Sequence, residues 1–91
     1  MPRVNFRASY IHAYKNFTKR NSKRIKVIDE ALRQFAKNPK HPSFHLEKLS
    51  GHGIWAIRLD SGNRMFFVWS DKGDTAVFFH IGSHDSYKTM K

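Results

Sequence analysis

Hydrophobic positions change their period twice along this chain. Val4 and Phe6, with Ala8 as a third position, alternate with polar Asn5 and Arg7, which predicts a short first strand. Tyr10, Ile11, Tyr14 and Phe17 then recur at helical spacing. Ile25, Ile28, Leu32 and Phe35 form a second helical stripe, widened by Val27 and Ala31. Ser22 is placed to cap that helix, and Asn38-Pro39 to end it. The helices meet near Lys19-Arg20-Asn21, so the pattern predicts an antiparallel helix hairpin.

All five glycines lie in the second half of the chain, where the period falls to two. LSGHG (49–53) leads into IWAIRL, DSGN (60–63) separates it from RMFFVW, and SDKGD (70–74) separates that from TAVFFHI. Aspartate and glycine in short gaps between β-rich runs are hairpin signals. Three meandering antiparallel strands are expected, with the first strand joining at an edge or in the centre. The fold class is therefore α+β: a small antiparallel sheet in the order β-α-α-β-β-β, with the helix hairpin packed on one face. All 91 residues form one domain.

Alternation also assigns faces. Trp55, Ile57 and Leu59 oppose Ala56 and Arg58. Met65, Phe67 and Trp69 oppose Arg64, Phe66 and Val68. Val77, Phe79 and Ile81 oppose Phe78 and His80. The apolar sets suit packing under the helices, which leaves Arg58, Arg64 and His80 together on the other face. A bulge would flip part of this assignment.

Composition adds a partner class. Seventeen Lys and Arg face seven Asp and Glu, a net charge of +10. Eight of those cations precede the first acid, Asp29. They include Lys19, Arg20, Lys23, Arg24 and Lys26, around the helix joint. Such a field favours a polyanion, either nucleic acid or an acidic protein; a solvated basic face without a specific partner is the plain alternative. With no cysteine, disulfides and thiolate metal sites are excluded. MPRVNFRASY has no apolar core of signal-peptide length, and no window approaches the roughly 18 apolar residues of a spanning helix. A cytoplasmic protein without membrane association is expected.

The chain closes its last strand with FFHIGSHDSYK (78–88), which presents His84 and Tyr87 beyond Gly82. Two arginines, two histidines and a tyrosine on one face suit phosphodiester chemistry. Arginine holds phosphate oxygens with a permanent planar fork. Histidine exchanges protons near neutral pH. RNA carries its own nucleophile, the 2′-OH, so neither metal nor cofactor is expected, and the six histidines show no zinc-site spacing. Plainer roles stand beside these. Arg58 and Arg64 also read as solvent-side strand residues pairing with Asp60 or Asp71. His80 reads equally as a half-buried sheet histidine, and His84 with Asp85 as the start of a terminal turn. Glu47 reads as a general base, a salt-bridge partner or neither. His12, His41, His45 and His52 read as surface residues, and Trp55 and Trp69 as core. From the residues alone the result is a small α+β nucleic-acid-binding domain, with nuclease activity open.

LEKLSGHGIWAIRLDSGNRMFFVW (46–69), followed by FFHIGSHDSYK, resembles the RelE/ParE superfamily of toxin–antitoxin toxins. Leu49, Gly51, Trp55 and Arg58 carry the first part of the likeness, Arg64 after the turn the second, and Gly82, His84 and Tyr87 the third. Length and element order also match over nearly the whole chain. The resemblance implies a RelE-like microbial ribonuclease fold and favours the mRNA interferase branch. That branch cuts messenger RNA in the ribosomal A site, inhibits translation and arrests growth. It implies that Arg64 stabilises charge on the phosphate, Arg58 positions the RNA backbone, His84 is acid or base and Tyr87 orients base or phosphate. Glu47 is a further candidate base. His80 and the basic helix residues would bind mRNA and ribosomal RNA. An antitoxin protein is the implied partner, with the toxin monomeric alone and part of a higher-order complex with it. ParE-like members share the fold but poison DNA gyrase. A catalytically silent relative that only binds antitoxin or nucleic acid is the third reading.

Overall fold

The structure is a computed structural model and describes residues 3–38, 46–49, 53–70, 72–83 and 86. β1 (Arg3–Phe6) runs into α1 (Ala8–Thr18), so Ala8 opens the helix rather than extending the strand. α2 (Ser22–Lys37) follows, then β2 (Glu47–Leu49), β3 (Ile54–Arg58), β4 (Asn63–Trp69) and β5 (Thr75–Ser83). β2 is one strand more than the hydrophobic pattern predicts. With three residues, Glu-Lys-Leu, it is too short to show a period.

The five strands form one sheet in the order β1-β5-β4-β3-β2. β2 to β5 pair antiparallel with their sequence neighbours. β1 lies at the edge and pairs parallel with β5, from Arg3 opposite Thr75 to Phe6 opposite Phe78. A parallel partner needs a long crossover, and the two helices and the meander supply it.

Asn21, not Ser22, caps α2: its side chain accepts from the Arg24 N–H at 3.2 Å. Both residue types cap well, and Ser22 is already inside the helix. Arg20 takes a left-handed φ of 56° at the helix joint. Across that joint the Arg24 guanidinium donates to the Phe17 carbonyl at 3.0 Å and lies 4.3 Å from the Phe17 ring centroid. Arg24, expected among the RNA-binding cations, thus ties the helices together.

The helices cover one sheet face. Tyr10, Ile28 and Phe35 meet Ile57, Met65, Phe67, Ala76, Phe78 and Ile81 there. Phe35 centres an aromatic knot, with its ring 5.2 Å from Phe67 and 5.7 Å from Phe78. Trp55, Leu59 and Trp69 pack at its margin, which is the core role expected of both tryptophans. Ile25 and Val27 are more than a third exposed, so the outer part of the α2 stripe stays at the rim.

The face assignment holds on β3 and β4 and fails on part of β5. Phe66 pairs with His80 but Phe67 pairs with Phe78, so Phe79 is an extra residue on β5. This bulge puts two β5 residues opposite one on β4. Phe78 therefore enters the helix-side core, while Phe79 joins the opposite face with Leu49, Ala56 and Phe66. Val77 pairs with Val68, which packs on that second cluster, so Val77 also leaves the predicted set. His80 and Ile81, beyond the bulge, keep their predicted faces. The second face is consequently not bare: it has a small apolar cluster of its own.

Candidate functional site

Antiparallel register brings four candidate residues into an arc on this second face. Arg58 lies directly opposite Arg64, and Arg64 opposite Gly82. In the neighbouring row Glu47 opposes Ala56, Ala56 opposes Phe66, and Phe66 opposes His80. Glu47 is thus the diagonal neighbour of Arg58, and His80 that of Arg64. Diagonal sheet neighbours lie about 7–8 Å apart, within reach of long side chains. The arc reads acid, arginine, arginine, histidine. The predicted grouping of Arg58, Arg64 and His80 is met, and Glu47 joins it through the unpredicted strand β2.

Two like charges directly opposite in a sheet destabilise it. The chain places an arginine pair there, at the end of the β3–β4 hairpin. The turn holds Arg64 in place. The Asp60 carboxylate accepts from the N–H groups of Gly62 and Asn63, both at 2.9 Å, and from the Asn63 side chain at 3.0 Å. Burial raises the Asp60 carboxyl, but these hydrogen bonds and the Arg24 charge outweigh it and hold the group below its usual range. Asp60 stays ionised and builds the turn, and Arg64 Nη1 donates to the Asp60 and Asn63 carbonyls at 3.0 and 3.1 Å. Arg64 thus reaches Asp60 at its backbone carbonyl, whereas the contact expected from the sequence is a charge pair with the carboxylate. Asp71 lies outside the described residues.

His80 is half-buried, and its ring stacks on Phe66 at 5.9 Å between centroids. Burial lowers its pKa from 6.5, so it is mainly neutral at pH 7 and able to accept a proton. Gly82 explains the crowding beside it. A Cβ there would come within 2.6 Å of Ser86 Oγ and 2.9 Å of His80 Nε2. Ser86 is fixed by donating to the Ser83 carbonyl at 2.7 Å. Without a Cβ at Gly82 both side-chain ends can sit this close over β5, a feature set by neighbours in space and so invisible in the sequence.

The basic set lies on the helix layer, and one member reaches the arc. Lys19 and Arg20 in the helix joint, and Lys23 and Lys26 on α2, are exposed. Lys26 shares a cleft of about 370 Å³ with Arg58, which links the helical cations to the arginine pair. His84 and Tyr87 lie outside the described residues.

No protein-family model matches the chain, and no curated protein sequence does. Solved structures do match. The YoeB/ParE toxin from Agrobacterium tumefaciens superposes with a TM-score of 0.75 at 18% identity, covering 90% of this chain and 98% of that one. The fold is that of the RelE/ParE-superfamily toxins. YafQ from E. coli strain BL21(DE3) gives 0.74 at 10% identity, covering 94% and 97%. The YoeB-YefM complex from Staphylococcus aureus gives 0.71 at 22% identity, covering 92% and 98%. The expected α+β RelE-like architecture is therefore confirmed. No helix among the described residues is long and apolar enough to cross a membrane.

Proposed function

We propose that this chain is the toxin of a toxin–antitoxin pair and cuts messenger RNA on the ribosome as a metal-independent endoribonuclease. The observation that carries this reading is the Arg58–Arg64 cross-strand pair, flanked by Glu47 and His80. A like-charge pair weakens a free sheet and strengthens one that holds a phosphate.

The chemistry follows from the arc. A base takes the proton of the RNA 2′-OH; Glu47 and neutral His80 both fit this role. The 2′-oxygen forms a bond to the adjacent phosphorus while the P–O5′ bond breaks. Arg64 and Arg58 stabilise the charge that builds on the phosphate oxygens. An acid, for which His84 is the candidate, delivers a proton to the departing O5′, with Tyr87 orienting base or phosphate. The products are a 2′,3′-cyclic phosphate and a 5′-hydroxyl. Lys19, Arg20, Lys23 and Lys26 supply sequence-independent attraction to ribosomal RNA. The existence of a YoeB-YefM complex supports an antitoxin protein as partner. A cytoplasmic setting follows from that role.

Primer extension on a translated message in a cell-free system tests the reading. New 5′ ends within A-site codons are expected with the protein, and none with Arg64→Ala or without ribosomes. An unchanged message with wild-type protein at growth-arresting concentrations rejects it. Inhibited DNA supercoiling under the same conditions would point to gyrase.

A further inference from the structure

β1 pairs with β5 only as far as Phe78, and β5 continues to Ser83. Along that continuation the described residues provide no strand on the β1 side. The start of α1 lies there instead, tied down by Ser9 Oγ, which donates to the Phe79 carbonyl at 2.7 Å. A cleft of about 410 Å³ opens between α1 and the β5 edge. Ala13, Phe17 and Ile81 give it apolar walls, and His12, Asn16 and His80 give it hydrogen-bonding groups. Its size falls within the range of small-molecule sites, about 300–1,000 Å³.

The lining has the character of a base pocket. Single-stranded RNA is read by holding an unstacked base against apolar or aromatic side chains and bonding its polar edge. His12 and Asn16 stand one helical turn apart on α1, 3.4 Å between Nε2 and Nδ2. An amide and an imidazole together offer donors and acceptors to a base edge. α1 ends at Thr18, just past Asn16, and the exposed Lys19 and Arg20 follow in the helix joint, which puts positive charge for a backbone phosphate beyond that end of the helix. His80 belongs to both places: it lines this cleft and ends the arc beside Arg64.

We propose that the α1–β5 cleft binds one nucleobase of single-stranded RNA, held by His12, Asn16 and His80, and so fixes a nucleotide beside the cleaved linkage. The proposal rests on RNA being the substrate. It assigns base recognition to α1 rather than to the arginine face, which handles phosphate. Neither His12 nor Asn16 belongs to the proposed catalytic arc.

Two-dimensional NMR of the isotope-labelled full chain tests it, with adenosine, uridine and inorganic phosphate added separately at millimolar concentration. At least one nucleoside is expected to shift Ser9, His12, Asn16, His80 and Ile81 along a single saturable curve, and phosphate is not. Asn16→Ala and His12→Ala should each weaken that nucleoside about fivefold to tenfold, the scale of one hydrogen bond. Arg64→Ala should leave it bound. Shifts with phosphate only, or nucleoside shifts confined to other surfaces, overturn the proposal. If Asn16→Ala cuts programmed message with unchanged KM and codon pattern and no nucleoside enters the cleft, the cleft assignment fails while the ribonuclease reading stands. If nucleosides bind in the cleft but the wild type cuts no message, the cleft stands and the ribonuclease reading fails.

Discussion

The two faces of one sheet obey different rules here. Under the helices, Phe35, Phe67, Phe78, Ile57 and Met65 are fully buried and interlock ring against ring. Each choice on that face lowers the free energy of the fold. The opposite face has a smaller apolar cluster around Phe66 and, at its end, two arginines set against each other. Like charges set opposite each other in a sheet are expected to cost stability in the free protein. A sequence consistent with its fold at most positions shows its function where one position works against it.

The contrast can be broken from the covered side first. Phe35→Ala should lower unfolding free energy by about 3–5 kcal/mol, the range for emptying a phenylalanine site. Urea titration would measure it, and a loss below about 1 kcal/mol would mean that the aromatic knot is not the main source of stability. On the other face, Gly82→Ala forces a methyl group into Ser86 and His80. Both contacts are the ends of side chains that can turn aside, so the loss should stay at the low end for overpacked sites, about 1 kcal/mol or less, with RNA cleavage reduced through the displaced His80. Wild-type cleavage in this variant would show that the position of His80 does not matter.

Arg58→Thr separates the faces most sharply. It removes the like-charge pair and installs a good strand former, so stability should stay level or rise by about 0.2–1 kcal/mol while cleavage falls. A smaller effect belongs to His80. Its folded pKa lies below 6.5, so the neutral form favours the fold. That contribution is present above pH 6.5 and is lost as pH falls through the folded pKa. Unfolding midpoints measured downward from pH 7 should show an acid loss that His80→Gln reduces; an identical profile in the variant would contradict the assignment.

Much of this was legible in the sequence, for physical reasons. The helices follow from apolar spacing at 3.6, and the faces of β3 and β4 from strict alternation between short turns. Arg58 and Arg64 fell together because a tight hairpin fixes its own register. What depends on neighbours distant in sequence was not legible. The Phe79 bulge moved Phe78 into the core, though nothing in TAVFFHI distinguishes the two phenylalanines. β2 is defined by pairing with β3, and Glu47 reached the arc only through it. The α1–β5 cleft is lined by both His12 and His80, 68 positions apart, an arrangement with no local signature. His84 and Tyr87 remain assignments by resemblance.

Thermal unfolding of wild type and Arg58→Thr, each with and without a 2′-O-methylated RNA oligonucleotide that cannot be cut, tests the central claim directly. A ligand that binds only the folded state stabilises it by about 2.7 kcal/mol at a hundredfold excess over Kd. Without RNA, Arg58→Thr should melt at or above the wild-type temperature; with RNA, the wild type should gain markedly more and overtake it. Equal gains in both proteins, or a variant already less stable without RNA, would contradict the claim that the arginine pair is held in place for a phosphate.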